Sequence, residues 1–345
     1  MFYRVENPSC VHYMKQLQIV VTGSRGKSSV VRLLFYALSA CGIKTWARIT
    51  GVIPRELSPG GEKPILRSAG GHVEEMKWWL RVIPVDAEAV VLENSAVAPD
   101  LQELPSKWLK DPIFVITNVR PDHQDAWGPG EEGALGAIMR GIPQRSTVFI
   151  PETTASSLAL LDGLEKKQCK VHVAPLSSKG YSVWREENMA VVREILNFMG
   201  LDSKKGEDAA SSLVSDVADF QVIPLGDSEL AAAFSANDLA TTKLLFASLE
   251  WKMEETTILF NSRRDRPERL KAFLPWLRQP GWKRVLFMGA RLLYPRKGIK
   301  YISISSIADV EELLKREKKV FGCGNVAGMP LAFLIDYALK GGNHA

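Results

Sequence analysis

The residues best suited to chemistry stand at the chain's first junction between apolar and helical patterns. The run Leu17–Thr22 passes directly into Gly23-Ser24-Arg25-Gly26-Lys27-Ser28-Ser29, where a helical pattern begins. Glycines let backbone N–H groups turn toward phosphate oxygens, and a helix N-terminus adds partial positive charge. The spacing assigns Gly23 through Ser29 to an anion cradle. Lys27 would reach the β- and γ-phosphates of a nucleotide, and the Ser28 hydroxyl would ligate Mg²⁺. The longer GxxxxGK[ST] pattern is not met, because Val21 occupies its first glycine position.

Further polar groups end other apolar runs. Glu93 closes Ala89–Glu93 and could hold a metal or cap the following turn. The run Ile113–Asn118 ends in a loop with Asp122, His123 and Asp125, which gathers an imidazole and two carboxylates. Thr50 could give a hydroxyl to a metal and Arg55 a charge to a carboxylate, although a turn with a solvated arginine explains that stretch equally well. Asn237 could read an adenine edge beside Asp238, a candidate helix N-cap. Residues 263–269 carry four arginines (263, 264, 266 and 269), which could reach across an interdomain cleft to phosphate or form a solvated face. Gly322-Cys323-Gly324-Asn325 offers a further backbone cradle.

Short apolar runs alternate with helical stretches throughout, so the fold class expected is α/β with parallel-rich sheets. In such sheets ligands sit beyond the carboxyl ends of strands, where all these groups fall. Strands are expected at Leu17–Thr22, Ala89–Glu93, Ile113–Asn118, Thr147–Pro151, Val171–Ala174, Leu230–Phe234, Thr257–Asn261, Val285–Gly289 and Val320–Gly322. Helices are expected at Lys27–Cys41, Glu74–Arg81, Asn188–Met199, Leu201–Ala218, Asp238–Trp251, Pro267–Leu277, Ile307–Glu317 and Ala327–Lys340. The 345 residues suit two domains, divided as an extension at 1–16, a first domain at 17–220 and a second at 221–345. Hydrophobic residues make up 46% and charged residues 24%, which excludes a disordered chain. A net charge of +5 suits anionic ligands but is too small to indicate nucleic acid. No apolar stretch of about 18 residues encodes a membrane span. Met1–Gln16 has no secretory h-region, and four scattered cysteines without a CxxC pair fit a reducing compartment and argue against zinc.

In this order, the motifs resemble the Mur ligase family of ATP-dependent amide ligases, and within it the ligase subunits of poly-γ-glutamate synthases. The likeness rests on Gly23–Ser28, on ENSAVAPD at 93–100, NVRPDHQDAWGP at 118–129, FSAND at 234–238, NSRRDR at 261–266 and CGNVAG at 323–328. It implies a P-loop central domain followed by a smaller Rossmann-like C-terminal domain. It also implies ATP and one or two Mg²⁺ ions as cofactors. Glu93 and His123 would be metal ligands, which accounts for an imidazole on a metal that prefers oxygen. Thr50 would add a metal or substrate contact, Asn237 would lie near the nucleotide, and Asp265 with Arg266 would match the family's Asp-Arg pair. Four departures stand out. The residues before Gly23 read as too few for the family's UDP-sugar-binding domain and show no hydrophobic segment, so neither a UDP-linked substrate nor direct membrane anchoring is expected. Residues 126–142 contain no lysine to carry the family's carbamate, and residues 218–223 contain no Gly-Arg pair.

The activity so implied is activation of a carboxylate as an acyl phosphate and its joining to an amino acid amine, with release of ADP and phosphate. Lys27, His123 and Arg266 would act in catalysis, and Arg263 and Asp265 would contact the nucleotide. The substrate expected is glutamate or a γ-glutamyl chain. The readings left open are another amino acid or peptide acceptor, and a regulatory ATPase that forms no bond. The chain is expected in the cytoplasm, with membrane subunits of a synthase complex able to recruit it to the inner face of the membrane. An oligomer is compatible with the sequence.

Overall fold

The computed structural model describes residues 16–51, 53–66, 71–177, 183–213, 216–236, 238–291 and 300–340. The chain forms two compact units, Met1–Leu213 and Val214–Ala345.

The first unit is built on eight strands: β1 (Leu17–Thr22), β2 (Thr45–Ile49), β3 (Arg55–Ser58), β4 (Gly61–Pro64), β5 (Ala89–Glu93), β6 (Ile113–Ile116), β7 (Thr147–Pro151) and β8 (Lys170–Ala174). Their spatial order is β4-β3-β2-β5-β1-β6-β7-β8. The six strands from β2 to β8 in that order run parallel, and β3 and β4 extend the edge as an antiparallel hairpin. The central strands are near-continuous aliphatic runs because helices cover both faces of a parallel sheet. On one face α1 (Lys27–Ala40) buries Val30, Val31, Leu34, Phe35, Ala37 and Leu38 against Ile19, Val21, Val91 and Val115. Each of the valine, leucine and phenylalanine side chains among them contributes roughly 1.5–3 kcal/mol.

The other helices of this unit are α2 (Glu75–Val82), α3 (Leu104–Trp108), α4 (Gln124–Trp127), α5 (Gly130–Arg140), α6 (Leu158–Lys166), α7 (Val183–Phe198) and α8 (Ser203–Ser211). Residues of α7 and α8 complete the α1 face, and α5 and α6 close the opposite face around Val20, Phe114, Ile116 and Val148.

The second unit has strands β9 (Gln221–Leu225), β10 (Ser228–Ala232), β11 (Thr256–Ser262), β12 (Arg284–Gly289), β13 (Lys300–Tyr301) and β14 (Lys319–Cys323) in the order β13-β12-β11-β14-β10-β9. All pair in parallel except β9, which returns antiparallel to β10. Its helices are α9 (Leu239–Ala247), α10 (Pro267–Leu277), α11 (Ile307–Glu317) and α12 (Met329–Leu339). Ser306 and Asp309 form a reciprocal capping box at the start of α11.

Several expected boundaries are corrected; α7 begins at Val183 rather than Asn188, and α9 ends at Ala247 rather than Trp251. The helical stretch expected at Leu201–Ala218 is shorter, because Asp202 caps α8 and the helix ends at Ser211. The strand expected at Leu230–Phe234 starts earlier, where the Gly226 turn sets the pairing of Ser228 with Leu225.

Candidate active site

The register of the first sheet brings the expected groups to one edge. Val21 pairs with Glu93 and Thr22 with Ile116, so β1, β5 and β6 end side by side. The edge lies where successive connections diverge, the position at which open α/β sheets bind ligands.

Gly23 has φ +126°, and a Cβ there would lie 2.2 Å from the Thr117 hydroxyl oxygen. Gly26 has φ +78° and directly precedes α1, whose first turn has neither a side-chain cap nor an acidic residue. The amides of Gly26, Lys27, Ser28 and Ser29 have no hydrogen-bond partner among the described residues. These are the orphan donors of a helix N-terminus, and their setting suits an anion. The amides of Ser24 and Arg25 are already engaged. They donate to the Asn118 carbonyl at 3.0 Å and to Asn118 Oδ1 at 3.2 Å. The Ser24 hydroxyl donates to the Arg120 carbonyl at 2.6 Å.

Lys27 folds its ammonium back onto the Gly23 carbonyl at 2.7 Å. Burial lowers its pKa from the ordinary value, and the nearby charges of Glu93 and Asp122 oppose that shift. Arg25 pairs with Asp122 at 3.1 Å.

Glu93 is 4% exposed, and one of its oxygens accepts from the Ser28 hydroxyl at 3.0 Å and from the Thr50 N–H at 2.7 Å. Thr50 therefore meets this carboxylate through its backbone rather than its hydroxyl. A Cβ on Gly51 would lie 2.5 Å from the Ser28 hydroxyl oxygen, so the Thr50 loop closes over Ser28. His123 sits in the left-handed region at φ 43°, with its Nε2 3.6 Å from Asp122 Oδ2 and its ring 5.1 Å from that of Trp127.

Magnesium fits this donor set. Glu93 is a buried carboxylate with two neutral donors and no ion pair among the described residues, beside a hydroxyl and an open set of amides. Mg²⁺ characteristically takes one or two carboxylates together with phosphate oxygens. Among the described residues no three His, Cys, Asp or Glu side chains form a protein-only metal cage.

In the second unit, Asn261 and Asn325 interlock at the ends of β11 and β14. Asn261 Nδ2 donates to the Asn325 carbonyl at 2.6 Å, and Asn325 Nδ2 donates to the Asn261 carbonyl at 2.9 Å. Arg269 donates to Asn325 Oδ1 at 2.6 Å. A hollow of about 620 Å³ opens there, lined by Asn261, Ser262, Arg263, Gly289, Ser305 and Gly328 among others. Arg263 forks onto Asp265 through two bonds of 2.9 and 2.6 Å, which holds the Asp265 carboxyl below its usual range. Both side chains are exposed, and Arg266 stands at the N-cap of α10. Asn237 lies outside the described residues.

The sequence reading gave no role to Asn118, nor to Asn188, whose amide oxygen would lie 3.1 Å from a Cβ on Gly26. It also missed Glu187, which accepts from Thr153 at 2.6 Å and faces Arg120 at 3.5 Å. Asn188 and Glu187 lie on α7 with no local motif, and only the chain's return to the loop reveals them. Asn118 did carry a signal, since it ends a strand run ahead of the imidazole loop.

Residues 21–216 match the Mur ligase middle domain. The chain belongs to the Mur ligase family. It is an ATP-dependent acid–amino-acid ligase. Residues 222–338 match the poly-gamma-glutamate synthase CapB C-terminal domain. The chain is 25% identical to PGA synthase CapB of Bacillus subtilis (strain 168), over 90% of this chain and 88% of that one. It is 24% identical to the capsule biosynthesis protein CapB of Bacillus anthracis, over 76% of this chain and 61% of that one. The fold is similar to MurF from Acinetobacter baumannii, with TM-score 0.65 and 12% identity over 93% of this chain and 76% of that one. It is also similar to Escherichia coli FolC in complex with DHPP and ADP, with TM-score 0.62 and 15% identity over 94% and 89%. No helix among the described residues is long and apolar enough to cross a membrane.

Proposed function

We propose that this ligase extends γ-linked glutamate chains, activating a carboxylate as an acyl phosphate and releasing ADP and phosphate. The observation that carries the reading is the junction of an uncapped α1 N-terminus with the buried Glu93 carboxylate, joined through Ser28. A carboxylate is a poor electrophile until its oxygen becomes part of a good leaving group. Lys27 and the amides of Gly26 to Ser29 would bind the triphosphate and spread charge on the transferring phosphoryl group. Ser28, Glu93 and His123, with Thr50 fixing Glu93, would hold Mg²⁺, which when bound supplies electrostatic stabilisation of that charge. The incoming amine then attacks the acyl carbon and phosphate departs.

The substrate class follows from the names of the two CapB relatives and the match to the CapB C-terminal domain. We assign residues 17–220 to ATP binding and 221–345 to the C-terminal domain. There Arg263 and Arg266 would supply positive charge for anionic groups, with Asp265 orienting the Arg263 guanidinium. Recruitment by membrane subunits belongs to the same proposal.

The test is ATP turnover with and without glutamate or oligo-γ-glutamate, with hydroxylamine present. Glutamate-dependent hydroxamate with stoichiometric ADP is expected. AMP as the stoichiometric product, or ATP hydrolysis that no amino acid stimulates and no hydroxamate accompanies, would refute the reading.

A further inference from the structure

We infer that Asn118 is a positioning residue that holds the phosphate loop in its ligand-ready shape from the segment that follows β6. The inference rests on the assignment of Gly23–Ser29 as the phosphate loop. Asn118 meets that loop three times. Its carbonyl accepts from the Ser24 amide at 3.0 Å, its Oδ1 accepts from the Arg25 amide at 3.2 Å, and its Nδ2 donates to the Arg25 carbonyl at 3.2 Å. The last two bonds make its side chain a surrogate peptide group for Arg25, as a neighbouring strand would be. Arg120, two residues on, adds a fourth bond by accepting from the Ser24 hydroxyl.

The consequence is a division of labour among the loop amides. Ser24 and Arg25 spend theirs on Asn118, so they do not face an anion. Gly26, Lys27, Ser28 and Ser29 keep theirs open. This narrows the cradle expected from the sequence, in which every residue from Gly23 onward faced phosphate. Asn118 also ties the loop to the segment that carries Asp122 and His123, alongside the Arg25–Asp122 ion pair and the Ser24–Arg120 bond.

Only an amide of this length fits. Asparagine offers a donor and an acceptor at fixed separation. Alanine removes both, and glutamine retains both but moves them outward by one methylene.

The test uses ADP binding in EDTA, where no metal and no acceptor contributes. Asn118→Ala and Asn118→Gln are each expected to weaken ADP by about tenfold, equivalent to one or two lost hydrogen bonds. Thr154→Ala is the control, because the Thr154 hydroxyl bonds the Thr117 carbonyl at 2.9 Å on the same strand end without touching the loop. It is expected to lower the thermal midpoint while leaving ADP affinity within about twofold, the scatter of a site uncoupled from the loop. Equal losses in Thr154→Ala and Asn118→Ala at matched thermal midpoints, or full affinity in Asn118→Gln, would overturn the proposal. Hydrogen exchange on the unaltered protein tests it without mutation. The Ser24 and Arg25 amides should be protected before ADP is added, and those of Gly26 to Ser29 only afterwards. Fast exchange at Ser24 and Arg25 without ligand would also overturn it. An unaltered protein that binds no ADP would remove the phosphate-loop assignment and this inference together, whereas normal binding with an unmoved Asn118→Ala removes this inference alone.

Discussion

Replacing Glu93 by glutamine separates the metal from the fold. The carboxylate is 4% exposed, forms no ion pair among the described residues, and offers one oxygen to Ser28 and Thr50. A glutamine carbonyl can accept both bonds, so the geometry survives and the charge is lost. Each bond weakens from the charged range of about 1.5–3 kcal/mol toward the neutral range of about 0.5–1.5. The buried carboxylate meanwhile stops costing desolvation, a cost that the nearby Lys27 charge offsets in part. These terms oppose, so Glu93→Gln without ligands should melt within about 3 °C of the unaltered protein, equivalent to about 1 kcal/mol. The metal-dependent part behaves differently. With ADP saturating and Mg²⁺ at 100 times its Kd, the metal stabilises the unaltered protein by about 2.7 kcal/mol. That corresponds to about 5–10 °C for a unit of this size. A metal-site change that weakens Mg²⁺ about 100-fold leaves about 0.4 kcal/mol at the same concentration. The assay is thermal unfolding with ADP, with and without Mg²⁺. If Glu93→Gln keeps half or more of the Mg²⁺ increment, Glu93 does not hold the metal.

Lys27 gives a prediction with a definite sign. Its pKa in the folded chain is below the ordinary 10.5, so the folded state disfavours its charge, and that penalty is fully present below the folded pKa. The penalty is relieved as pH rises from the folded value toward the unfolded one. Lys27→Met should therefore raise the melting point of the ligand-free protein at neutral pH while abolishing ATP turnover; a lower melting point or near-normal turnover would contradict this. His123→Ala should reduce metal-dependent turnover by about tenfold or more, and an unchanged Mg²⁺ titration would remove His123 from the site. Gly23→Ala combines a glycine-only backbone angle with a 2.2 Å approach to Thr117. It should cost about 2–6 kcal/mol, and adding Thr117→Ala should recover part of that loss in a double-mutant cycle on urea unfolding.

What the sequence made legible divides by range. Leu17–Thr22, Ala89–Glu93, Thr147–Pro151, Pro267–Leu277 and Ile307–Glu317 were readable to the residue, because each is an apolar run or stripe closed by its own cap or turn. The Arg55–Pro64 hairpin was not readable, since every residue of β4 is exposed and its pairing with β3 leaves no apolar alternation. Helix α5 was also missed, because its three glycines, at 130, 133 and 136, speak against a helix until Ala134, Ala137 and Ile138 find the sheet. The same distinction runs through the site. Lys27, Ser28 and Glu93 carry their meaning locally, at the ends of strands.

The site's rigidity is non-local, and this explains how a loop lacking the longer glycine pattern can still present an ordered cradle. Val21, standing where the first glycine of that pattern would be, is fully buried in β1, and its carbonyl accepts from the Asn94 amide at 2.9 Å. It is committed to the sheet and cannot join a flexible turn. The loop between strand and helix is thereby shortened to Gly23–Gly26, with a positive-φ glycine at each end. A long glycine loop wraps the phosphates with its own amides. A short one has too few residues to brace itself, and here the two between the glycines are braced by Asn118, just beyond the end of β6. The shortened glycine pattern and the external asparagine are thus two parts of one arrangement. Lengthening the loop by one glycine after Ser24 should break the Asn118 contacts and lower ADP affinity in EDTA as Asn118→Ala does. Because both changes release the same bonds, combining them should add little further loss. Full additivity in that cycle would show that loop and strand act independently.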